Sequence, residues 1–213
     1  SELSLPQINT ENNYLKLNTE VYGGSILNTW FDRPLSVAGR VAVKTDNPLR
    51  PREELVDIKR PLLIIPNLAI HMNRKVNEGV KINPQTDTLP LLSMIGEEFE
   101  KDKFLLKILA ESIGVNVEDI IDFDLFLYST DRGSLIGLNE EFISCPKLDN
   151  LAMVHGGLHG LIDGLVGKGT NVLACFDNEE VGSTTKQGAA SPFLRTVLER
   201  IVLALGKDKE DYF

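Results

Sequence analysis

The residues best suited to chemistry lie in an acidic loop, DNEEVGS, at residues 177–183. The loop follows NVLACF at 171–176, an apolar run between turn residues that predicts a strand buried on both faces. In open α/β sheets, ligands bind beyond the carboxyl ends of strands, so a site is expected here. Adjacent Glu179 and Glu180 point to opposite sides of an extended chain, so one can bind a metal ion while the other handles a proton of water. A solvated acidic loop explains the pair alone equally well.

Three other side-chain groups are candidate ligands or catalytic residues. Asp149 in CPKLDNLAM lies between an apolar strand end and a helix start, and on spacing alone it is interpreted as a helix N-cap. His155 and His159 share one helix face at the i, i+4 spacing that zinc sites use. The HExxH pattern is missing and two glycines weaken the helix, so a core or surface role is preferred for them. His71 in IPNLAIHMNR is interpreted as a packing residue.

The hydrophobic pattern indicates which elements position these residues. Apolar alternation at 35–44 and 122–128 predicts half-buried strands, and helical spacing over 97–113 predicts a helix that Gly114 ends. After Cys145 the pattern is that of an α/β unit, with a helix rich in small residues, the buried strand, and a helix that begins at Ser191-Pro192.

Three segments are predicted from these patterns. Residues 1–34 comprise a loose N-terminal arm, over the first dozen residues, and a strand of the α/β portion. Residues 35–143 form a β-rich domain, and residues 144–213 carry the rest of the α/β portion with the candidate metal-site residues.

Composition excludes several classes of function. The 213 residues include 22 Lys and Arg against 31 Asp and Glu, and the net charge of -9 argues against nucleic acid as a partner. No apolar run approaches the roughly 18 residues of a membrane span, and the polar start is unlike a signal peptide. Two cysteines, Cys145 and Cys175, are too few for a disulfide framework, which predicts a protein of the reducing cytoplasm. Both are expected to be small, buried apolar side chains. With three histidines, any metal site must rely on carboxylates.

Four segments occur together in an order that resembles the aspartyl aminopeptidase family. They are YGGSILNTWFDRPLSVAGRV, IPNLAIHMNR, CPKLDNLAM and FDNEEVGS, and the resemblance runs from about Leu15 to Gln187. It implies an α/β fold: part of an α/β/α zinc-exopeptidase catalytic domain with an inserted β-rich dimerisation domain. It also implies a zinc metalloaminopeptidase that hydrolyses N-terminal, acidic residues from peptide substrates through a metal-activated water, with two Zn²⁺ ions.

The resemblance assigns roles residue by residue. Asp149 matches the carboxylate that bridges the two zinc ions, Glu180 a terminal zinc ligand, and Glu179 the general base. The Asp149–Asn150 bond matches a position where related peptidases hold a cis peptide. His71 matches a histidine that reaches the neighbouring subunit's active site and contacts substrate. A homodimer through the β-rich domain, and larger homo-oligomers, are therefore expected.

The departures from the family pattern lead to a second hypothesis. The family's first zinc-binding histidine lies in a His-x-Asp block that is not found upstream of YGG, and its other ligands follow DNEEVGS beyond Phe213. The chain is therefore expected to be an internal fragment with two of the family's five zinc ligands, too few for activity alone. The alternative is a non-catalytic dimerisation module whose carboxylates are relics. A small acidic α/β binding protein would require the four segments to coincide by chance.

Overall fold

The structure is a computed structural model that describes residues 2–4, 8–96, 103–164, 167, 169–208 and 210. The chain divides into two compact units, Ser1–Leu135 and Ile136–Phe213. Among the described residues, no helix is both long and apolar enough to cross a membrane.

The first unit consists mainly of antiparallel strands. Its elements are β1 (Glu2–Ser4), β2 (Ile8–Glu11), β3 (Tyr14–Leu17), β4 (Glu20–Tyr22), β5 (Leu35–Val43), β6 (Arg52–Asp57), β7 (Leu91–Met94), α1 (Phe104–Ile113) and β8 (Ile120–Ser129). Five strands form a sheet in the order β4-β1-β8-β5-β6, and three form a second sheet in the order β2-β3-β7. All the strand pairs in both sheets are antiparallel.

The core of this unit forms where β5 and β8 pair and α1 covers them. Val37 lies opposite Leu127, and Val41 opposite Phe123, so that alternate side chains of both strands face the same interior. Leu109 of α1 is fully buried in this cluster. The predicted strands at 35–44 and 122–128 are therefore confirmed. The predicted helix is confirmed from Phe104, and its first residues, 97–102, lie outside the described residues.

Gly39 lets β5 approach β8 closely. A Cβ at this position would overlap the Asp124 carbonyl oxygen and lie 2.8 Å from the Leu125 Cα, both backbone atoms of β8. We expect Gly39→Ala to lower the free energy of unfolding by about 2–3 kcal/mol, because overpacking against backbone cannot be relieved by a rotamer change. Urea denaturation followed by circular dichroism measures this. Gly96→Ala is the matched control, since a Cβ there meets nothing within 4 Å; equal destabilisation by both would contradict the explanation.

The second unit has helices but little buried surface. A hairpin of β9 (Ser134–Ile136) and β10 (Phe142–Ser144) lies at the boundary between the units, followed by α2 (Leu148–Asp163) and α3 (Phe193–Ala204). Of the residues described in 136–213, only Gly188 is buried. Large apolar side chains are open to solvent, including Met153 at 81% and Phe193 at 63% exposure.

Two sequence-based expectations about secondary structure were wrong. Residues 2–4 and 8–11 do not belong to a loose arm, because β1 pairs with β4 and β8, and β2 pairs with β3. A ladder is formed by backbone N–H and C=O groups, which polar residues also supply. The run at 171–176 is not a strand and its residues are exposed. A strand requires a neighbour to pair with, which an apolar run by itself does not supply.

Candidate active-site residues

Asp149 lies in the first turn of α2 with an irregular backbone. The helix begins after Lys147, which has a positive φ of 65° and makes no side-chain capping hydrogen bond. Asp149 has φ -82° and ψ 114°, outside the helical region, and its bond to Asn150 is cis, as predicted. The Asp149 side chain is exposed, and its extended dihedrals mark a kink after which the regular part of the helix begins. Extended dihedrals are those of an N-cap residue, so the N-cap interpretation stays a prediction, and the carboxylate is presented to solvent.

The acidic loop is a compact turn rather than an extended segment. Glu179–Val181 form a single 3-10 turn, flanked by Asn178 and Gly182, which both have positive φ angles. The Gly182 N–H donates to the Glu179 carbonyl at 2.9 Å. The expectation that the two glutamates point to opposite sides assumed an extended chain, and that assumption was wrong. Both glutamate side chains are exposed.

Asn178 accepts hydrogen bonds from residues later in the loop. Its carbonyl accepts a hydrogen bond from the Ser183 N–H at 3.1 Å, and its side-chain oxygen accepts one from the Thr185 hydroxyl at 2.8 Å. The Asp177 N–H donates to the Gln187 carbonyl at 3.2 Å, which closes the wider loop. The conformation that presents Glu179 and Glu180 is thus fixed by bonds local to residues 177–187.

The described residues include carboxylates that zinc can bind, but no cluster of them large enough to hold the ion. Carboxylate oxygens are suitable zinc donors, and structural or catalytic zinc has about four ligands, of which at least three come from protein. Among residues 2–4, 8–96, 103–164, 167, 169–208 and 210, no three His, Cys, Asp or Glu side chains cluster in a way that could hold a metal ion. Asp149, Glu179 and Glu180 therefore fit zinc by chemistry but do not complete its coordination.

The histidine pair on α2 is exposed. The rings of His155 and His159 lie 4.4 Å apart, centroid to centroid, and are tilted by 45°. The predicted shared helix face is confirmed, and of the two roles preferred from sequence, the surface role is the observed one. Both cysteines are exposed as well, so the expectation that Cys145 and Cys175 are buried was wrong. Cys175 belongs to the run at 171–176 that has no strand partner.

His71 projects from a loop of the first unit. The loop starts after Ile65, which is 1% exposed, and turns where the Met72 N–H donates to the Ala69 carbonyl at 2.8 Å. His71 is exposed, and so are its neighbours Ile70, at 53%, and Met72, at 74%. The interpretation of His71 as a packing residue was therefore wrong.

Asp32 is a well-anchored residue near the His71 loop that the sequence reasoning did not single out. It has a positive φ of 56°, and its N–H donates to the Ile65 carbonyl at 2.9 Å. Its carboxylate accepts two hydrogen bonds from Asn67, one from the backbone N–H and one from the side-chain amide, both at 2.9 Å. The backbone N–H, and then the amide, hold the pKa of the Asp32 carboxyl below its usual range. The available signal was an aspartate that precedes Arg33-Pro34, residue types that favour turns.

The two residues after Asp32 are also anchored. The Arg33 guanidinium bonds the Asp131 carboxylate at 3.0 Å, and the Pro34 carbonyl accepts a hydrogen bond from the Thr130 N–H at 3.0 Å. The turn that carries Asp32 is therefore held against the end of β8. The segment 32–34 therefore joins one loop, through Asp32, to the end of β8, through Arg33 and Pro34.

Comparison with known proteins identifies the class to which this fold and these residues belong. Residues 4–213 match the family described as Aminopeptidase I zinc metalloprotease (M18). The chain belongs to this family of zinc metalloproteases, and its mixed α/β fold is similar to the solved M18 structures.

Particular relatives show how much of such a protein this chain covers. A probable M18 family aminopeptidase 2 from Clostridium acetobutylicum is 60% identical over 208 residues, which are 98% of this chain and 48% of the relative. A chain in the cryo-EM structure of the Ape4 and Nbr1 complex superposes with a TM-score of 0.84 at 37% identity, covering 97% of this chain and 44% of that one. A chain of the S. cerevisiae mApe1 dodecamer superposes with a TM-score of 0.71 at 26% identity. The match covers 95% of this chain and 47% of that one. The chain spans about half the length of the curated relatives it matches.

Proposed function

We propose that this chain is part of a zinc aminopeptidase that removes N-terminal, acidic residues from peptides. The observation that carries the proposal is the family match over residues 4–213. Carboxylates at Asp149, Glu179 and Glu180 support it, since all three residues are exposed and carboxylate oxygens are suitable zinc donors. The chain's high acidity agrees with a site that relies on carboxylates. The preference for acidic residues rests on the family resemblance alone.

The proposed roles follow the chemistry of each side chain. When bound, two zinc ions supply Lewis acidity that polarises the scissile carbonyl and acidifies water. Asp149 and Glu180 would hold the zinc ions, and the other ligands would come from polypeptide outside this chain. The Glu179 carboxylate takes a proton from the attacking water and returns it to the leaving amine nitrogen. His71 contacts substrate in the neighbouring subunit.

The same proposal includes assembly and location. Residues 35–143 act as a dimerisation domain inserted into the catalytic domain, of which 1–34 and 144–213 are part. The dodecamer formed by S. cerevisiae mApe1 supports homo-oligomers larger than a dimer. Two exposed cysteines without a disulfide support a reducing, cytoplasmic location.

A second candidate function is a non-catalytic dimerisation module. It is favoured by the contrast between the units, because the first has a buried core while the described part of the second gathers no metal-binding cluster. In that case the exposed carboxylates of the second unit have no ligand to bind.

Zinc content and turnover, measured on two proteins, test the proposal. The 213-residue chain is expected to bind little zinc and to release no product from aspartyl or leucyl chromogenic substrates. The natural polypeptide that contains it is expected to hold about two zinc ions per subunit and to be active. Activity of the chain alone would refute the fragment hypothesis. A longer polypeptide that dimerises without zinc would establish the module instead.

A further inference from the structure

Asp32 and Asn67 form a clasp where the His71 loop leaves the core of the first unit. Ile65 is buried and makes a parallel bridge with Phe31, so the chain is anchored just before the loop. Pro66 follows and has no N–H to donate. Asn67 is then held by the Asp32 carboxylate at two atoms, its backbone nitrogen and its amide nitrogen. The direction in which the loop leaves the core is thereby set at Asn67.

Beyond Asn67 the backbone hydrogen bonds of the loop, within the residues that the structure describes, all lie in short turns. Its backbone hydrogen bonds each join residues three apart, and the acceptor–donor pairs are Ala69–Met72, Ile70–Asn73, Asn73–Val76, Lys75–Glu78 and Val76–Gly79. Such bonds fix the local shape of a loop but not its orientation on the protein. The clasp is therefore placed to orient a segment that is internally folded and whose side chains at 68 and 70–72 are exposed.

We propose that Asp32 is a positioning residue for His71. By holding Asn67 at two atoms, the Asp32 carboxylate fixes the orientation of the 66–79 loop, and so the place where the imidazole is presented to substrate. The inference rests on the proposed function, in which His71 contacts substrate. Asp32 itself does not touch the reacting atoms.

Exchanging the Asp32 and Asn67 side chains distinguishes the effect of losing their hydrogen bonds from a general loss of structure caused by substitution. Asn67→Asp places two carboxylates against each other and removes the amide donor, so the clasp should open. Asp32→Asn alone should be mild, because the Asn67 amide can turn and accept the new donor with its oxygen. The double variant Asp32→Asn/Asn67→Asp again pairs one amide with one carboxylate, with donor and acceptor exchanged. It should restore the clasp.

Trypsin reports loop order on the 213-residue chain without any need for activity. Arg74 and Lys75 are exposed within the loop and are cleavage sites. We expect Asn67→Asp to raise the rate of cleavage there about tenfold, near the lower end of the range for losing a hydrogen bond to a charged group, because this pair is exposed. The double variant should return to the wild-type rate. Equal rates in all four proteins, or no restoration by the exchange, would overturn the clasp.

Kinetics of the longer active polypeptide test the positioning role. Asn67→Asp should raise KM about tenfold with a smaller change in kcat. The double variant Asp32→Asn/Asn67→Asp should restore the wild-type KM. In a protein that already carries His71→Ala, Asn67→Asp should have no further effect on KM. Additive effects with His71→Ala would overturn positioning through His71. If the wild type is active and Asn67→Asp leaves KM unchanged although trypsin shows that the clasp is open, the positioning role is overturned as well. An inactive wild type would instead overturn the proposed function and the positioning role with it, while the trypsin result still decides whether the clasp orders the loop.

Discussion

Glu179→Gln is expected to lower kcat of the longer, zinc-loaded polypeptide by about 10³-fold, within the range for loss of a general base. Glutamine keeps the shape of the side chain but cannot take a proton from water. Because Glu179 is not a proposed ligand, the zinc content should stay at the wild-type value. Steady-state kinetics on an aspartyl chromogenic substrate, with metal analysis of the same preparations, provides both numbers.

Glu180→Gln is the matched control, since the two residues are adjacent in one exposed turn. It should lose zinc and recover part of its activity when zinc is added in excess, because an amide is a weaker metal donor than a carboxylate. If zinc is lost from the Glu179→Gln variant and retained in Glu180→Gln, then Glu179 is the zinc ligand and Glu180 the general base. No effect of either variant on turnover would exclude this loop from the active site.

Residues 136–213 alone are expected to show no cooperative unfolding transition. Ordering each residue costs about 1–2 kcal/mol of conformational entropy, which apolar burial must offset. Of the described residues in this unit only Gly188 is buried, while Met153 of α2 and Phe193 of α3 are exposed. Thermal melts followed by circular dichroism should be broad, and a dye that binds apolar surface should fluoresce strongly.

Residues 1–135 are the matched comparison. Their buried cluster joins both sheets to α1 through residues such as Leu17, Val41 and Leu109, so a single sharp transition is expected. A sharp transition in the 136–213 fragment at a similar temperature would show that exposed apolar faces of α2 and α3 do not limit its stability. Joining the fragment to the rest of the natural polypeptide should sharpen its melt if that polypeptide covers these faces.

Local pattern was sufficient wherever one face of an element is buried. The alternation in β5 and β8 reflects burial of every second side chain, and Gly114, with a φ of 70°, ends α1 where a left-handed residue was predicted. The family resemblance added what pattern cannot give, including the cis bond after Asp149. Its assignments of Asp149, Glu179, Glu180 and His71 to catalytic roles stay predictions.

The local hydrophobic pattern failed to predict structure where a strand or a contact depends on a segment distant in sequence. The apolar run at 171–176 is typical of a strand, yet no strand forms there, since pairing depends on another segment. The Asp32 clasp joins residues 35 positions apart through polar atoms, which leave no periodic signal. The polar start of the chain gave no sign of β1, whose place depends on β4 and β8.

The order of strands has a consequence for biosynthesis. β8 is the last strand of the five-stranded sheet to be made, yet it lies between β1 and β5, and Ser4 is opposite Phe126. A ribosome must therefore release nearly the whole first unit before its central ladder can close. Pairing over so long a stretch of chain slows folding and leaves one edge of β1 and one edge of β5 unpaired while translation continues. Chaperone demand during synthesis should accordingly peak just before residues 120–129 emerge from the exit tunnel.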